Sequence, residues 1–506
     1  MEEKPRTQKV GVVDYEHVGQ EYFRERDLSR RAGTALIWGL GVGYVISGEY
    51  FSWNFGFANG GFGGMLFATF LAIAMYVFMV YSISEMATAF PVTGGPYAFT
   101  RRTLGVWGGF ATGIGAILEY VFATSALCTV IAGLILLIFE AGDITIGTSI
   151  LGLDPIEWIA ALIYVVFVAI NLLGVQATLV SVFAITVVSV VVLLLWGVVL
   201  LLGGDWSASN FTNIAPEPGN SSFLPFGFSG ILTALPFAFW FYLAIEGVPL
   251  ASEETRDPAR DLPRGSVLAM WSLVFFSAVA FFVGIGVGGA DVMSGALAPI
   301  SEAVRVAQGG ETFFWWVVSI AGLTGFLASF HSIIFAFSRI IYALSRAGYL
   351  PRFLSLTSAR KSPYLAITIP AFLGLVTAIV YIRQDPANAV AVLTEMSVFG
   401  ALTTYVLMML AFVILRQREP NVERPYRSPV GIPGAIIALI IAVVAGFAQL
   451  YYEGKVLGAR AGVVATLGIL VVGYLYFWLY SRHRLVAEAP EEEFALIERA
   501  EAELEV

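Results

Sequence analysis

An acidic side chain interrupts an apolar run at Gly43-Tyr44-Val45-Ile46-Ser47-Gly48-Glu49-Tyr50-Phe51. At the centre of a bilayer an ionisable group costs about 3 kcal/mol or more, and it marks an ion or substrate path by default. The glycines beside it are places where a helix opens and bares its backbone. A carboxylate next to open backbone is chemistry for a cation, so Glu49 is the first candidate to meet an ammonium group. A second acid, Glu246, stands in Trp240-Phe241-Tyr242-Leu243-Ala244-Ile245-Glu246-Gly247-Val248-Pro249, with Pro236 just upstream. Glu119 lies well inside a third apolar run, and His331 inside a fourth, flanked by Ser329 and Ser332 and followed by Arg339. Tyr44, Trp240, Phe241 and Tyr242 offer ring faces, where a cation gains about 0.5–2 kcal/mol.

Each of these residues has a plainer role. Glu49 would be inert as a neutral acid bonded to a neighbouring helix. Glu246 either shares the cation, carries a coupling proton or satisfies broken backbone. Glu119 is a substrate contact or proton relay on one reading and a structural hydrogen bond on the other. A lone membrane histidine is more often core than ligand. Ser329 and Ser332 stand as a possible cation partner to the first break. Arg339, with Glu253 and Glu254, reads as an inner gate or scaffold.

The elements that position these groups are membrane spans. The chain has 506 residues, 58% hydrophobic and 13% charged. A soluble domain of that composition would expose large apolar patches. Twelve apolar segments are long enough, or nearly so, to cross a bilayer. They are Arg31–Ala58, Gly63–Phe90, Val106–Phe139, Trp158–Leu173, Thr178–Leu202, Gly230–Leu250, Ser266–Gly289, Thr312–Leu344, Leu365–Ile382, Val390–Leu415, Ile432–Tyr451 and Ala461–Tyr480. The third and eighth exceed a straight crossing, which predicts tilt or extension beyond the membrane. With the N-terminus inside, only Arg305, Arg383, Lys455 and Arg460 of the 28 basic residues fall outside, leaving 24 on the cytoplasmic side. Positive charge gathers in cytoplasmic segments, so both termini are expected there, in a multi-pass protein of the plasma (inner) membrane. The loop Gly203–Ser229 has no Lys or Arg.

The net charge of −9 is mostly local. From Glu488 onward eight acids and one Arg (Arg499) leave −7, so the rest carries about −2. That tail reads as a solvated cytoplasmic end. Residues 1–31 are polar and lack the early apolar stretch of a cleavable signal peptide. The single cysteine, Cys128, cannot form an internal disulfide. Gly39, Gly41 and Gly43 do not fit a dinucleotide fingerprint, and no His/Cys cluster has zinc spacing. Nothing in the pattern points to a metal, a cofactor or nucleic acid.

Spans one and six both combine glycine, an acid and, in six, two prolines. Matching breaks in corresponding spans point to an inverted repeat with its site at the midplane. The echo Tyr44-x-x-x-Gly48-Glu49 against Tyr242-x-x-x-Glu246-Gly247 agrees with this. The alternative is that the glycines only allow close helix packing, as Gly109-x-x-x-Gly113 does. The resulting organisation is all-α: residues 1–30 an N-terminal segment, 31–202 a first repeat of five spans, 203–229 an external loop, 230–416 a second repeat, 417–480 two further spans, and 481–506 the acidic tail.

Three segments resemble signatures of the amino acid–polyamine–organocation permeases. They are Pro91-Val92-Thr93-Gly94-Gly95-Pro96-Tyr97, Glu253-Glu254-Thr255-Arg256-Asp257-Pro258-Ala259-Arg260-Asp261-Leu262-Pro263-Arg264, and Ser338-Arg339-Ile340-Ile341-Tyr342-Ala343-Leu344-Ser345-Arg346-Ala347-Gly348-Tyr349-Leu350-Pro351. Within that superfamily the chain is most similar to ethanolamine permeases, through Gly41-Val42-Gly43-Tyr44-Val45-Ile46-Ser47-Gly48-Glu49, Ser222-Phe223-Leu224-Pro225-Phe226-Gly227, Leu243-Ala244-Ile245-Glu246-Gly247-Val248-Pro249-Leu250-Ala251 and Ile117-Leu118-Glu119-Tyr120. The resemblance implies a leucine-transporter-like fold of twelve spans with broken helices one and six. It also implies a substrate site at Tyr44, Ile46, Ser47, Gly48, Glu49, Glu119, Trp240, Phe241, Tyr242, Ala244 and Glu246. Amino-acid carriers usually have Gly-Ser/Thr-Gly at the first break, whose bare N–H groups hold a carboxylate. Here the triplet is Ser47-Gly48-Glu49, and an acid in the third place repels a carboxylate and attracts an amine.

The expectation is therefore a secondary transporter, not an enzyme, that imports ethanolamine by alternating access. Its coupling to a proton (through Glu119 or Glu246), to sodium or to exchange stays open. Some proton-coupled relatives carry a lysine in span five, and Thr178–Leu202 has neither Lys nor Arg. The rivals are an amino-acid or polyamine permease of the same fold and a sensor that binds without moving its ligand.

Overall fold

A computed structural model describes residues 7–10, 12–203, 206–385, 388–452, 459–493 and 496. In chain order the elements are β1 (Thr7–Val10), β2 (Val13–Glu16), α1 (Gln20–Arg24), α2 (Thr34–Val45), α3 (Ser47–Tyr50), α4 (Phe55–Ala89), α5 (Pro96–Ala141), α6 (Pro155–Leu172), α7 (Val175–Leu202), α8 (Gly227–Trp240), α9 (Pro258–Gly288), α10 (Ala290–Met293), α11 (Pro299–Gln308), α12 (Phe313–Arg346), α13 (Tyr364–Gln384), α14 (Ala389–Arg418), α15 (Gly431–Tyr452), α16 (Ala459–Leu479) and β3 (Leu485–Val486). Among the described residues eleven helices are long and apolar enough to cross a membrane. The expected first span is not one of them, because its helix stops after twelve residues at Ile46. Among the described residues the fold is helical apart from one small sheet in which β2 pairs with β1 antiparallel and with β3 in parallel.

Burial follows what each helix must face. On α7 the side chains of Val188, Val191, Leu195, Val198 and Leu202 are exposed, a face suited to hydrocarbon and not to water. The stretches Gly39–Phe51 and Leu235–Ala251 are buried throughout, so the two interrupted spans form the centre. The overlong helices have local explanations. Helix α5 has 46 residues, about 69 Å at 1.5 Å per residue, and kinks at Gly105, where φ is 75°. The kink sets its first turns apart from the membrane crossing. Helix α4 kinks likewise at Gly61, which divides the end of span one from span two. Asp154 at the N-cap and Glu157 at N3 form a capping box around Pro155, which fixes where α6 begins.

All three signature segments meet in one polar layer on the face that carries both described chain ends. Arg346 binds Glu253 at 2.5 Å and Glu491 at 2.6 Å, and Arg339 binds Glu254 at 2.6 Å. The Thr93 amide donates to Glu253 at 3.0 Å. Arg101 pairs with Glu492 at 2.7 Å, and the hydroxyls of Tyr15 and Tyr349 each donate to Glu492 at 2.9 Å. The expectation of a solvated tail is corrected here for its first part: Glu491 and Glu492 are buried and ion-paired. Composition alone missed this because the partner arginines lie some 145 to 391 residues away in sequence. Gly348 shows how closely the tail docks. Its φ is +87°, and a Cβ there would stand 2.2 Å from the Arg484 carbonyl. The tail beyond Glu493, apart from Leu496, lies outside the described residues, as do Lys4, Arg6 and Lys455.

Candidate functional site

Both expected breaks are present, and they face each other. In the first, α2 ends at Val45, Ile46 intervenes, and α3 is a single turn that stops at Phe51 in extended backbone. In the second, α8 ends at Trp240 and a 3-10 helix starts at Ile245, with Ala244 left-handed at φ 76°. The prolines do not sit at this break. Pro236 lies within α8, and Pro249 lies within the 3-10 segment. Gly48 is the point of contact. A Cβ there would be 2.4 Å from the Trp240 carbonyl oxygen and 3.0 Å from Phe241 Cα, so only glycine lets the two backbones meet.

Glu49 is fully buried, and among the described residues neither carboxylate oxygen has a hydrogen-bond partner. An unsatisfied buried acceptor costs about 1–3 kcal/mol, and more when charged. Its surroundings are aromatic. The Trp53 indole donates to the Glu49 main-chain carbonyl at 3.1 Å and stacks on Phe241 with centroids 5.8 Å apart. The Tyr242 ring lies 5.9 Å from that of Phe241, and its hydroxyl bonds Ser277 at 2.6 Å. The Trp240 indole nitrogen and the Ser52 hydroxyl are likewise buried without partners. The backbone donors of the break are partly spent. Ser47 N donates to Ser329 Oγ at 2.9 Å, and Glu49 N to the Ile46 carbonyl at 3.2 Å. Ser329 thus stands opposite the first break and closes one of its amides.

The other two acids form a second cluster. Tyr120 donates to Glu246 Oε1 at 2.8 Å, and the Tyr405 hydroxyl lies 2.8 Å from Glu246 Oε2 and 3.2 Å from Glu119 Oε1. The other oxygen, Glu119 Oε2, is buried without a hydrogen-bond partner among the described residues. Tyr76 reaches Tyr405 at 3.4 Å. A phenol carries one proton, so Tyr405 donates to only one of the two acids at a time. The Tyr44 ring packs on Gly247 beside Tyr120, and its hydroxyl is buried without a partner. The Tyr76 ring meets Tyr242 at 5.5 Å and Tyr405 at 5.5 Å, which links the two clusters through aromatic contacts.

Three candidates lie apart from both clusters in their bonding. His331 bonds Asn171 at 2.9 Å through Nδ1 and Ser181 at 2.7 Å through Nε2, a satisfied core histidine. Ser332 donates to the Ala328 carbonyl at 2.7 Å within its own helix and packs on Gly43. Arg339 belongs to the polar layer, bound to Glu254 with its guanidinium 4.0 Å from the Phe335 ring centre. Residue-by-residue reading missed Tyr76, Tyr120, Tyr405 and Trp53. Tyrosines and tryptophans are common in this chain; the packing of α4 and α14 against α5 and α8 singles out the three tyrosines, and the turn between α3 and α4 brings Trp53 to Glu49 and Phe241. Among the described residues no group of three or more His, Cys, Asp or Glu could hold a metal ion.

Comparison with known proteins agrees with this architecture. The family model described as amino acid permease matches residues 38–486. An uncharacterized transporter of Rhizobium meliloti (strain 1021) is 29% identical over 436 residues, 85% of this chain and 89% of that protein. The branched-chain amino acid permease BcaP of Bacillus subtilis (strain 168) is 26% identical over 482 residues, 90% of this chain and 94% of its own. A methylthioribose transporter of the same organism is 23% identical over 481 residues, covering 91% and 95%. These relatives are transporters and permeases, and by a match that runs from α2 to β3 the chain belongs to the amino acid permease family.

Proposed function

We propose that this permease imports a small primary amine without a carboxylate, ethanolamine first among them, by alternating access across the plasma membrane. In this reading the chain has twelve spans, two inverted five-span repeats and cytoplasmic termini. The observation that carries it is the Glu49 carboxylate, buried at the meeting of the two breaks with both oxygens free. An ammonium brings up to three donors and the opposite charge, which keeps the carboxylate ionised in a buried setting. Trp240 Nε1 is a free donor suited to the amino alcohol's hydroxyl oxygen. Tyr44, Phe241 and Tyr242 wall the path with aromatic rings. A carboxylate guest gains less, because the Ser47 and Glu49 amides already have acceptors and the Glu49 charge opposes it.

Glu119 and Glu246 hold one proton between them in this reading, since adjacent carboxyls cannot both ionise cheaply. That makes the pair the candidate for a coupling proton. A cationic substrate would also gain about 2.3 kcal/mol per 100 mV of inside-negative potential, so import does not require an ion.

A second reading, an amino-acid permease, draws on the family and on the similarity to BcaP. Uptake competition in proteoliposomes separates the two. Labelled ethanolamine displaced by other small amines and not by zwitterionic amino acids supports the amine. Equal displacement by branched-chain amino acids would give the site to them. Binding without flux into sealed vesicles would indicate a sensor.

A further inference from the structure

A groove of about 620 Å³ opens beside the first turns of α9, lined by Arg260, Arg264, Leu268, Trp271, Pro425 and Tyr426 among others. Its place is fixed by the backbone. The Arg256 amide donates to the Ala32 carbonyl at 2.8 Å, and Thr255 bridges Ala32, so this end of α9 lies on the face that carries the polar layer. Arg260 and Arg264 are exposed, and among the described residues neither guanidinium has an ion pair or hydrogen bond. Of the acids near by, Asp261 accepts from Thr34 and Glu85 binds Arg416 and Arg424, while the exposed Asp257 at the start of α9 forms no ion pair with either arginine.

The groove changes character along the helix. Arg260, Arg264, Leu268 and Trp271 follow at intervals of three and four, so they form one stripe. Trp271 stands about 10 Å beyond Arg264 at 1.5 Å per residue. Leu268 and Trp271 are 55% and 49% exposed on a membrane-crossing helix, and the Trp271 indole bonds the Tyr81 hydroxyl at 3.1 Å. Two unpaired guanidiniums at the membrane boundary, continued by an exposed apolar lane, match a phosphodiester headgroup with an acyl chain below it. A soluble phosphate would use the arginines and leave the lane idle.

We propose that this groove binds an anionic phospholipid from the leaflet on the terminus-bearing side, its phosphate between Arg260 and Arg264 and an acyl chain along Leu268 and Trp271. The site touches the base of span one. Thr34 bonds Asp261, and a Cβ at Gly265 would stand 2.4 Å from Ile37. Lipid occupancy therefore acts where α2 is anchored to α9.

The test is native mass spectrometry of the full-length protein in detergent, titrated with phosphatidylglycerol or phosphatidylcholine. The expected result is at least threefold greater retention of phosphatidylglycerol, lost in R260Q/R264Q and kept in the equally charge-depleted R360Q/R418Q. Equal retention of the two lipids, an unchanged R260Q/R264Q, or displacement by millimolar inorganic phosphate overturns the proposal, the last by giving the site to a soluble anion. Should the double variant not fold, phenylglyoxal labelling of the wild-type protein in nanodiscs decides. Protection of Arg260 and Arg264 by phosphatidylglycerol and not by phosphatidylcholine is expected, and equal labelling refutes the site.

Discussion

Replacing Glu49 by Gln separates a substrate partner from a structural acid. The side chain keeps its shape and loses its charge. Two unit charges 4 Å apart attract by roughly 4 kcal/mol at an effective dielectric of about 20. The amide carbonyl still accepts one ordinary hydrogen bond, worth about 1 kcal/mol. The difference, about 3 kcal/mol, is a loss of roughly 10²-fold in amine affinity, since each 1.4 kcal/mol is tenfold. The substrate-free protein has the opposite balance. Neither Glu49 oxygen is bonded to protein, so no native contact is broken by the change. Thermal stability without substrate is expected to stay the same or rise. The assay is paired: scintillation-proximity binding of labelled ethanolamine, and thermal unfolding of the purified protein with and without it. A hundredfold weaker affinity with undiminished intrinsic stability supports the reasoning. Unchanged affinity, or a destabilised protein that binds normally once folded, refutes it, for Glu49 would then serve the core. In the same assay Glu49→Gly is expected to lower discrimination against zwitterionic amino acids by at least tenfold.

Other perturbations probe the remaining parts. Gly48→Ala drives a methyl group against the Trp240 carbonyl, which cannot rotate away. An overpacking cost of about 1–3 kcal/mol should appear as a lower thermal midpoint with impaired uptake, and normal uptake would deny the close meeting of the breaks. Tyr405→Phe removes the hydroxyl shared by Glu119 and Glu246. Uptake is expected to fall about tenfold and to lose its response to an imposed pH gradient, measured in proteoliposomes, and a retained response would detach this pair from coupling. Glu492→Gln strips charge from a buried pair with Arg101, a change that typically costs about 3–5 kcal/mol when one partner is lost. Hydrogen exchange across Leu485–Glu493 should accelerate strongly, and unchanged protection would mean that the tail is held by other contacts.

Much of the architecture was legible before any coordinates. Apolar run length sets spans because every backbone group in hydrocarbon must bond within its own helix. Glycine and an acid in both, with two prolines in span six, marked spans one and six as interrupted, and both are. The precise break in span six was not legible. It falls at Phe241–Ala244, with a left-handed alanine, and not at either proline, because the neighbouring backbone of Gly48 and the packing of Tyr242 hold it there.

The site divides in the same way. Residue type and depth alone determined that Glu49, Glu119 and Glu246 must be answered for, since a carboxyl in an apolar span is costly wherever it points. Only the tertiary structure decided how each is answered: Glu246 by two tyrosines, Glu119 by Tyr405 at one oxygen with the other left unpartnered, and Glu49 by no hydrogen-bond donor among the described residues. The acidic tail makes the same point from the other side. Its charge was plain in the sequence, yet its burial depends on Arg101 and Arg346, brought to it by folding from distant spans. Local composition states the cost of placing a charge, and long-range packing alone supplies or withholds the partner.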